Sequence, residues 1–530
     1  MTTTPVSDGD VRGTAGRGPR RLAVELAFWV LVVALVVANL IVVVQGITTV
    51  RLWEDEAFNL TVPINLVAGL GYTSDGILSG SELTTFDVRI STGPVMLMPV
   101  AGLVALGVDP VVAGRVVAAV GYAGLLTALA LVGHRLGGRW AALVAAALPL
   151  AFETGAWPSP IQSPVDVLGE VTAAALLAAA LLFVHRRPWL AGLLIGLAIQ
   201  VKFIALLAAP AFALAVLLDA PGPWRARLRR GIPRVLVAAG AAALPTVVFE
   251  LVKLATLGPA GYIQHVREFS WFLRSGGQQG YVVSPLDKLG VLAASWNLPP
   301  LVAGLVLVVA LVAGTALVVV AVKRMPRDAA SDATGPSPLR AATRSEFVTI
   351  VVAAAAGLAT FLVWWLVSRH TPAWVRHPAP GVLAFAPVLA AALVPAARVV
   401  LAGRATSSTP GRGSIRPGRV IAVAATVVAV VALAWSITGR VAGIGTHSFP
   451  PGETLADQRA AAAHLAEAGY PRLVTAWGPA VSVGVLTGAH VGLTDAPIVT
   501  DADPRIWFGE PPPGCDVTAQ SGAYALCLVD

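Results

Sequence analysis

The chain has 530 residues, of which 56% are hydrophobic and only 12% charged, and its mean hydropathy is +0.77. A soluble domain carries about 25% charged residues, so the composition excludes an ordinary soluble protein and indicates an all-α, multi-pass membrane protein. The formal charge of +8 does not imply nucleic-acid binding, because the basic residues fall in one set of loops, as cytoplasmic loops require.

Residues 1–21 are polar and rich in Gly and Arg, which predicts a disordered cytoplasmic N-terminus. The run Leu26 to Val44 carries no charge and follows Arg12, Arg17, Arg20 and Arg21. A secretory signal has an apolar core of only about 7–15 residues, so this run is a retained first helix. Eleven spans are expected, near 26–47, 111–133, 140–153, 167–184, 189–201, 204–218, 234–256, 298–322, 348–367, 379–397 and 420–437. With the N-terminus inside, the loops HRLGGR, HRR, RARLRRGIPR, KRMPR and GRGSIRPGR all lie on the cytoplasmic side and the C-terminus lies outside.

These spans make a membrane domain over 22–440, with a first exterior loop at 48–110. In that loop Glu54, Asp55 and Glu56 open an amphipathic piece with Ala57, Leu60, Ile64 and Val67 on one face. Pro63 is expected to interrupt or restart that helix. Pro94 to Leu106 is too short to span and reads as a second juxtamembrane helix. The 30-residue run 189–218 is broken by Lys202, which predicts two short helices meeting at an exterior apex. Residues 258–297 read as a second exterior loop and 323–347 as a flexible cytoplasmic linker. Residues 441–530 form a small exterior α/β domain: TLADQRAAAAHLAEAG is a helix with Thr454 as N-cap and Gly469 ending it, while RLVTAW and YALCLVD are strands. Both cysteines, Cys515 and Cys527, lie in this tail, where an oxidising compartment permits a disulfide between them. Arg outnumbers Lys 33 to 4 in a chain rich in Ala, Val and Gly, which suggests a GC-rich bacterial source and a plasma-membrane location.

Ionisable groups converge on the exterior rim: Asp55, Glu56 and Arg89 in the first loop, Glu153, Asp166 and Glu170 about the second, Lys202 at the apex, and Arg369, Arg376 and His377 in SRHTPAWVRHPAPG. Glu250 and Lys253 also lie there and are close enough in sequence to pair with each other. The acidic triplet has an ordinary explanation, since acids are favourable in a helix's first turn. Yet charges at membrane depth are costly and mark function by default. Three of the four lysines, Lys202, Lys253 and Lys288, sit on the side where positive charge is unexpected.

The order of these pieces resembles the GT-C superfamily of polyprenyl-phosphate-sugar glycosyltransferases, which includes protein O-mannosyltransferases and aminoarabinose transferases. The resemblance rests on Asp55-Glu56 after the first span, DPVVAGRVVAAVGYAG with Arg115, LGEVTAAALLAAALL with Glu170, GLAIQVKFIALLAAP with Lys202, and WVRHPAPGVLAFAPVLAAAL. It covers roughly residues 20–400. One departure is Thr92-Gly93-Pro94, where many relatives carry His or Lys before the proline.

The resemblance implies an inverting transfer of a sugar from a polyprenyl-phosphate donor in the membrane lipid to a hydroxyl acceptor on the exterior face. Asp55 would be the general base, with Glu56 beside it. Lys202, Arg376, His377 and Arg89 would hold the donor phosphate. Some relatives bind a divalent metal, for which Asp55 and Glu170 would be the hard oxygen ligands. A second DxD-type motif, Asp501-Ala502-Asp503, sits in a tail too short for a nucleotide-sugar domain, and a turn before Pro504 explains it better. No Walker-type GxxxxGK occurs, which argues against an ATP-driven pump. The competing readings are a transporter or flippase of lipid-linked sugars, whose charges should cluster at the bilayer midplane, and a non-catalytic envelope assembly protein working through its tail.

Overall fold

The computed structural model describes residues 19–75, 83–152, 163–275, 282–295, 299–325, 342–405, 417–444, 450–493 and 504–529. Helix α1 (Pro19–Thr48) leads into α2 (Glu54–Val67), and a two-stranded hairpin of β1 (Thr73–Ser74) and β2 (Thr84–Thr85) follows. The helices α3 (Pro94–Ala105), α4 (Pro110–Gly137), α5 (Arg139–Ala151), α6 (Glu170–Leu181) and α7 (Pro188–Val201) come next. A short 3-10 segment, Phe203–Ala208, continues into α8 (Ala209–Asp219). Then follow α9 (Trp224–Ser275), α10 (Pro285–Ser295), α11 (Pro300–Arg324), α12 (Arg344–Val367), α13 (Ala379–Ala405) and α14 (Pro417–Gly443). The tail holds α15 (Leu455–Ala466), β3 (Arg472–Thr475), α16 (Pro479–Leu486), β4 (His490–Leu493), β5 (Arg505–Phe508), β6 (Cys515–Ser521) and β7 (Tyr524–Val529).

Each expected span falls on a helix. Six described helices are long and apolar enough to cross a membrane: α1, α4, α9, α11, α12 and α13. Along α1, α9 and α11 large apolar side chains such as Val33, Leu251 and Val312 point outward, the reverse of a water-soluble surface. The chain is a multi-pass membrane protein.

Several boundaries differ from the sequence reading. Helix α2 runs through Pro63 unbroken, because every residue from Glu56 to Pro63 is buried and packing holds it in shape. Residues 258–275 are not a loop: Gly258 adopts φ 66° and kinks α9, and Pro259 starts a new helical stretch. Residues 285–295 are helical as well. Helix α1 already begins at Pro19, and the stretch 323–347 is shortened by the ends of α11 and α12. The core of that linker, 326–341, lies outside the described residues.

Contacts sort the helix ends into two groups. At one end, Arg139 at the α4–α5 turn pairs with Glu25 of α1, and Arg135 pairs with Glu346 of α12. Asp219 there binds His185, Arg234 and Thr349. At the opposite end lie α2 and the tail. There the five-stranded sheet, in the order β4-β3-β5-β7-β6, is parallel across β4, β3 and β5 and antiparallel across β5, β7 and β6. Cys515 and Cys527 are joined on β6 and β7, with their Cα atoms 5.4 Å apart. Thr454 caps α15, accepting the N–H of Asp457.

The tail is locked onto the loop between α1 and α2. Leu455 donates its N–H to Thr49 at 3.0 Å, and Gln458 both accepts from and donates to the backbone of Leu52. Arg51 donates to Glu453 at 2.9 Å. Asp75 accepts the N–H of Val491 at 3.0 Å, and Trp477 stacks on Phe58.

Beneath this joint is a buried clasp. Arg115 is fully buried and donates to the carbonyls of Gly46, Val50 and Arg51 and to the Glu56 carboxylate. Glu56 also accepts the N–H of Trp53, just before α2, and of Val167, before α6. Among the helices, α7 and α9 approach most closely. A Cβ on Gly192 or Gly196 would sit 2.0 Å and 2.2 Å from the carbonyl oxygens of Ala238 and Ala242. This Gly-x-x-x-Gly seam lets two backbones touch where no larger residue fits.

Two outcomes follow. Gly196→Val should overpack the α7–α9 seam at about 1–3 kcal/mol, read as a lower thermal midpoint of the detergent-purified protein; an unchanged midpoint would mean the helices do not touch there. Removing one partner of a buried pair costs about 3–5 kcal/mol, so Glu56→Ala and Arg115→Ala should each be strongly destabilised. The double variant Glu56→Met/Arg115→Met should lose less than either, and additive losses would argue against the clasp.

Candidate functional site

Three adjacent acids in the first turn of α2 point in three directions, because successive residues on a helix lie about 100° apart. Each meets a different arginine. Glu54 faces Arg51 at 3.6 Å, Glu56 is gripped by Arg115 at 3.1 Å, and Asp55 accepts from Arg376 at 2.9 Å, across 321 residues of sequence. Their side chains are 6%, 1% and 22% exposed for Glu54, Glu56 and Asp55. Burial pushes the Glu54 carboxyl up despite the Arg51 charge. Both oxygens of Glu56 are engaged, so the structure assigns it to the clasp and not to the open face. Asp55 binds Arg376 through Oδ2, and its Oδ1 has no protein partner among the described residues.

Arg376 lies against two aromatic rings. Its guanidinium is 5.1 Å from the Trp53 ring and 4.7 Å from the Trp374 ring. These cation–π contacts hold the charge, and Arg376 uses one of its five N–H donors on Asp55.

Lys202 sits where the chain leaves α7 in an extended conformation. It pairs with Glu170, the first residue of α6, at 2.7 Å and donates to the carbonyl of Leu168 at 2.7 Å. Lys202 also interacts electrostatically with Arg376 and Asp55, so the two ion pairs form one cluster. His377 is half-buried beside Trp374. Burial, and then the charges of Arg376, Lys202 and Lys288, hold its pKa well below the usual histidine range. That shift disfavours the charged form of the ring.

Arg89 stands two residues before Ser91, whose hydroxyl accepts from Lys202 at 3.4 Å. Its backbone N–H binds Asp87, whose other oxygen accepts from Ser74 of β1. Glu250 and Lys253 pair with each other at 2.8 Å. Glu153 and the Asp501–Asp503 motif lie outside the described residues.

Asp55 and Glu170 do not fit a metal. Each carboxylate faces its own cation, and no group of three His, Cys, Asp or Glu gathers among the described residues.

The Thr92-Gly93-Pro94 departure has a steric cause. Gly93 donates to the carbonyl of Val201 at 2.8 Å, and a Cβ there would sit 2.1 Å from the Gln200 carbonyl oxygen. No side chain fits at that position, so His or Lys cannot stand there without moving α7. The glycine brings the first loop directly against the Lys202 break.

No protein-family model matches the chain, and no curated protein matches it. Its backbone does match solved structures. The aminoarabinose transferase ArnT from Cupriavidus metallidurans, bound to undecaprenyl phosphate, matches with a TM-score of 0.55 at 13% identity, over 94% of this chain and 97% of that one. The same protein in its apo state gives 0.54 at 14% identity, over 96% and 98%. The Archaeoglobus fulgidus oligosaccharyltransferase tethered with an acceptor peptide gives 0.50 at 14% identity, over 88% of this chain and 64% of that one. Both are glycosyltransferases of GT-C type, and the fold of this chain is the GT-C fold.

Proposed function

We propose that the chain transfers a sugar from a polyprenyl-phosphate donor to a hydroxyl acceptor, with inversion at the anomeric carbon, on the exterior face of a bacterial plasma membrane. The observation that carries this reading is the Asp55–Arg376 pair, in which an open acid and a clamped cation meet at one end of a membrane bundle. The ArnT structure of the same fold holds undecaprenyl phosphate, which supports the donor class. The basic loops at the opposite end support an exterior site.

In this mechanism Oδ1 of Asp55 takes the proton of the acceptor hydroxyl as its oxygen attacks the anomeric carbon. The bond from that carbon to the phosphate oxygen breaks, and polyprenyl phosphate leaves with the electron pair. Arg376 and Lys202 receive the charge that grows on the phosphate. Arg376 acts on both partners: its bond to Oδ2 keeps Asp55 aimed, and its remaining donors face the phosphate. Glu170 pairs with Lys202 in its buried position. His377 offers a ring N–H to the same phosphate. Glu56 is a positioning residue that sets the rotation of α2. The charges gather at one end of the bundle, which favours the enzyme over a midplane transport site.

Asp55→Asn keeps the shape and the bond to Arg376 but removes the base, so turnover with polyprenyl-phosphate sugars should fall about 100- to 10,000-fold while donor binding persists. Wild-type turnover in the folded variant would falsify the role. Lys202→Met and Arg376→Gln should each cost about 10- to 150-fold in transfer, the equivalent of one charge-assisted hydrogen bond. Donor affinity and rate are the measurements, and if both stay at wild-type values in either variant, that residue does not hold the phosphate.

A further inference from the structure

A second cationic feature lies beside this cluster and has no part in the mechanism above. Where the end of α9 meets the C-terminal end of α12, a cavity of about 350 Å³ is lined by Leu273, Arg274, Val367, Ser368, Arg369, His370 and Thr371. That volume lies within the range of small-molecule sites.

Its charges are of one sign. Among the described residues, the exposed side chains of Arg369 and His370 have no hydrogen-bond or ion-pair partner, the exposed Arg274 binds only the carbonyl of Ser270 in its own helix, and no acid lines the cavity. Ser368 and Thr371 hydrogen-bond to each other, and two hydroxyls sharing one bond leave one O–H to donate.

Lys288 lies fully buried alongside, donating to the carbonyls of Trp365 and Ser368 at 2.5 and 2.6 Å. With no acid to hold its charge, burial lowers its pKa to about 8. It thus occupies one carbonyl in the last turn of α12 and that of the cap residue Ser368, placing a cation at the negative end of the helix dipole.

We propose that this cavity is a second anion site for a phosphate-class group, separate from the Arg376–Lys202 pair. The planar forks of Arg274 and Arg369 suit the oxygens of a phosphomonoester or phosphodiester, and the hydroxyl pair supplies a neutral donor. Such a group reaches this place either as a soluble phosphate ester or as the headgroup of an anionic phospholipid.

The test uses the full-length protein in non-ionic detergent. Glycerol 3-phosphate is titrated calorimetrically, and retention of phosphatidylglycerol against phosphatidylcholine is read by native mass spectrometry. Arg369→Gln should weaken binding of whichever probe the wild type takes by about 10- to 150-fold, and Arg274→Gln should do likewise. Arg369→Lys should recover part of it, which separates loss of charge from misfolding. Arg376→Gln should leave it within about twofold. Binding of glycerol 3-phosphate identifies a soluble ester, and selective retention of phosphatidylglycerol alone identifies a lipid headgroup. The proposal fails if neither probe separates wild type from the Arg274→Gln/Arg369→Gln protein. It also fails if Arg376→Gln abolishes binding equally, because the cavity would then belong to the site already described.

Discussion

The bond between Glu56 and Arg115 governs the geometry of everything at the site end of the molecule. Arg115 gathers three carbonyls from the end of α1 and the loop after it, and Glu56 gathers two backbone N–H groups from the starts of α2 and α6. A buried pair of this kind contributes little net stability over apolar residues of the same size, yet it costs several kcal/mol to break. Its effect is to fix orientation. Once Glu56 is turned into the bundle, helix geometry turns its neighbour Asp55 about 100° away, toward Arg376.

Charge is handled differently at the two ends of the bundle. At the end formed by the α4–α5 and α8–α9 turns, Asp219 collects His185 and Arg234, and Glu346 pairs with Arg135. At the site end the cations are immobilised instead by aromatic faces, by carbonyls or by single carboxylates. Arg376 against two tryptophans and Lys288 beneath Ser368 are examples. Cations held in that way keep unspent capacity for an anion that is not part of the protein.

Much of this was legible in the sequence because it rests on periodicity and sidedness. Long uncharged runs located the helices, Lys202 marked a break in one of them, and Asp55, Lys202 and Arg376 stood out as charges in apolar surroundings. Other features were hidden for physical reasons. A run of three acids does not reveal which of them will be sealed, since that depends on which arginine folds against each face. Gly93, Gly192 and Gly196 look ordinary in a chain with 52 glycines until the backbone facing each is known. The lowered pKa of His377 depends on burial and on charges that include Lys202 and Lys288, which come from distant segments. The helix after Gly258 was missed because polar residues there resemble a loop, whereas a single left-handed glycine followed by proline is enough to restart a helix.

The joint between the tail and the start of α2 bears on the order in which the molecule is made. Arg51 meets Glu453 and Leu52 meets Gln458, partners separated by 402 and 406 residues. A ribosome delivers the first member of each pair early and the second only after α14 has been made. During that interval the segment beside Asp55 has one wall missing, and its polar backbone groups have only water or lipid headgroups to bond. The end of the bundle that carries Asp55 is thus finished last, by the tail that follows α14. Folding of the long helices and closure of this joint become separate events.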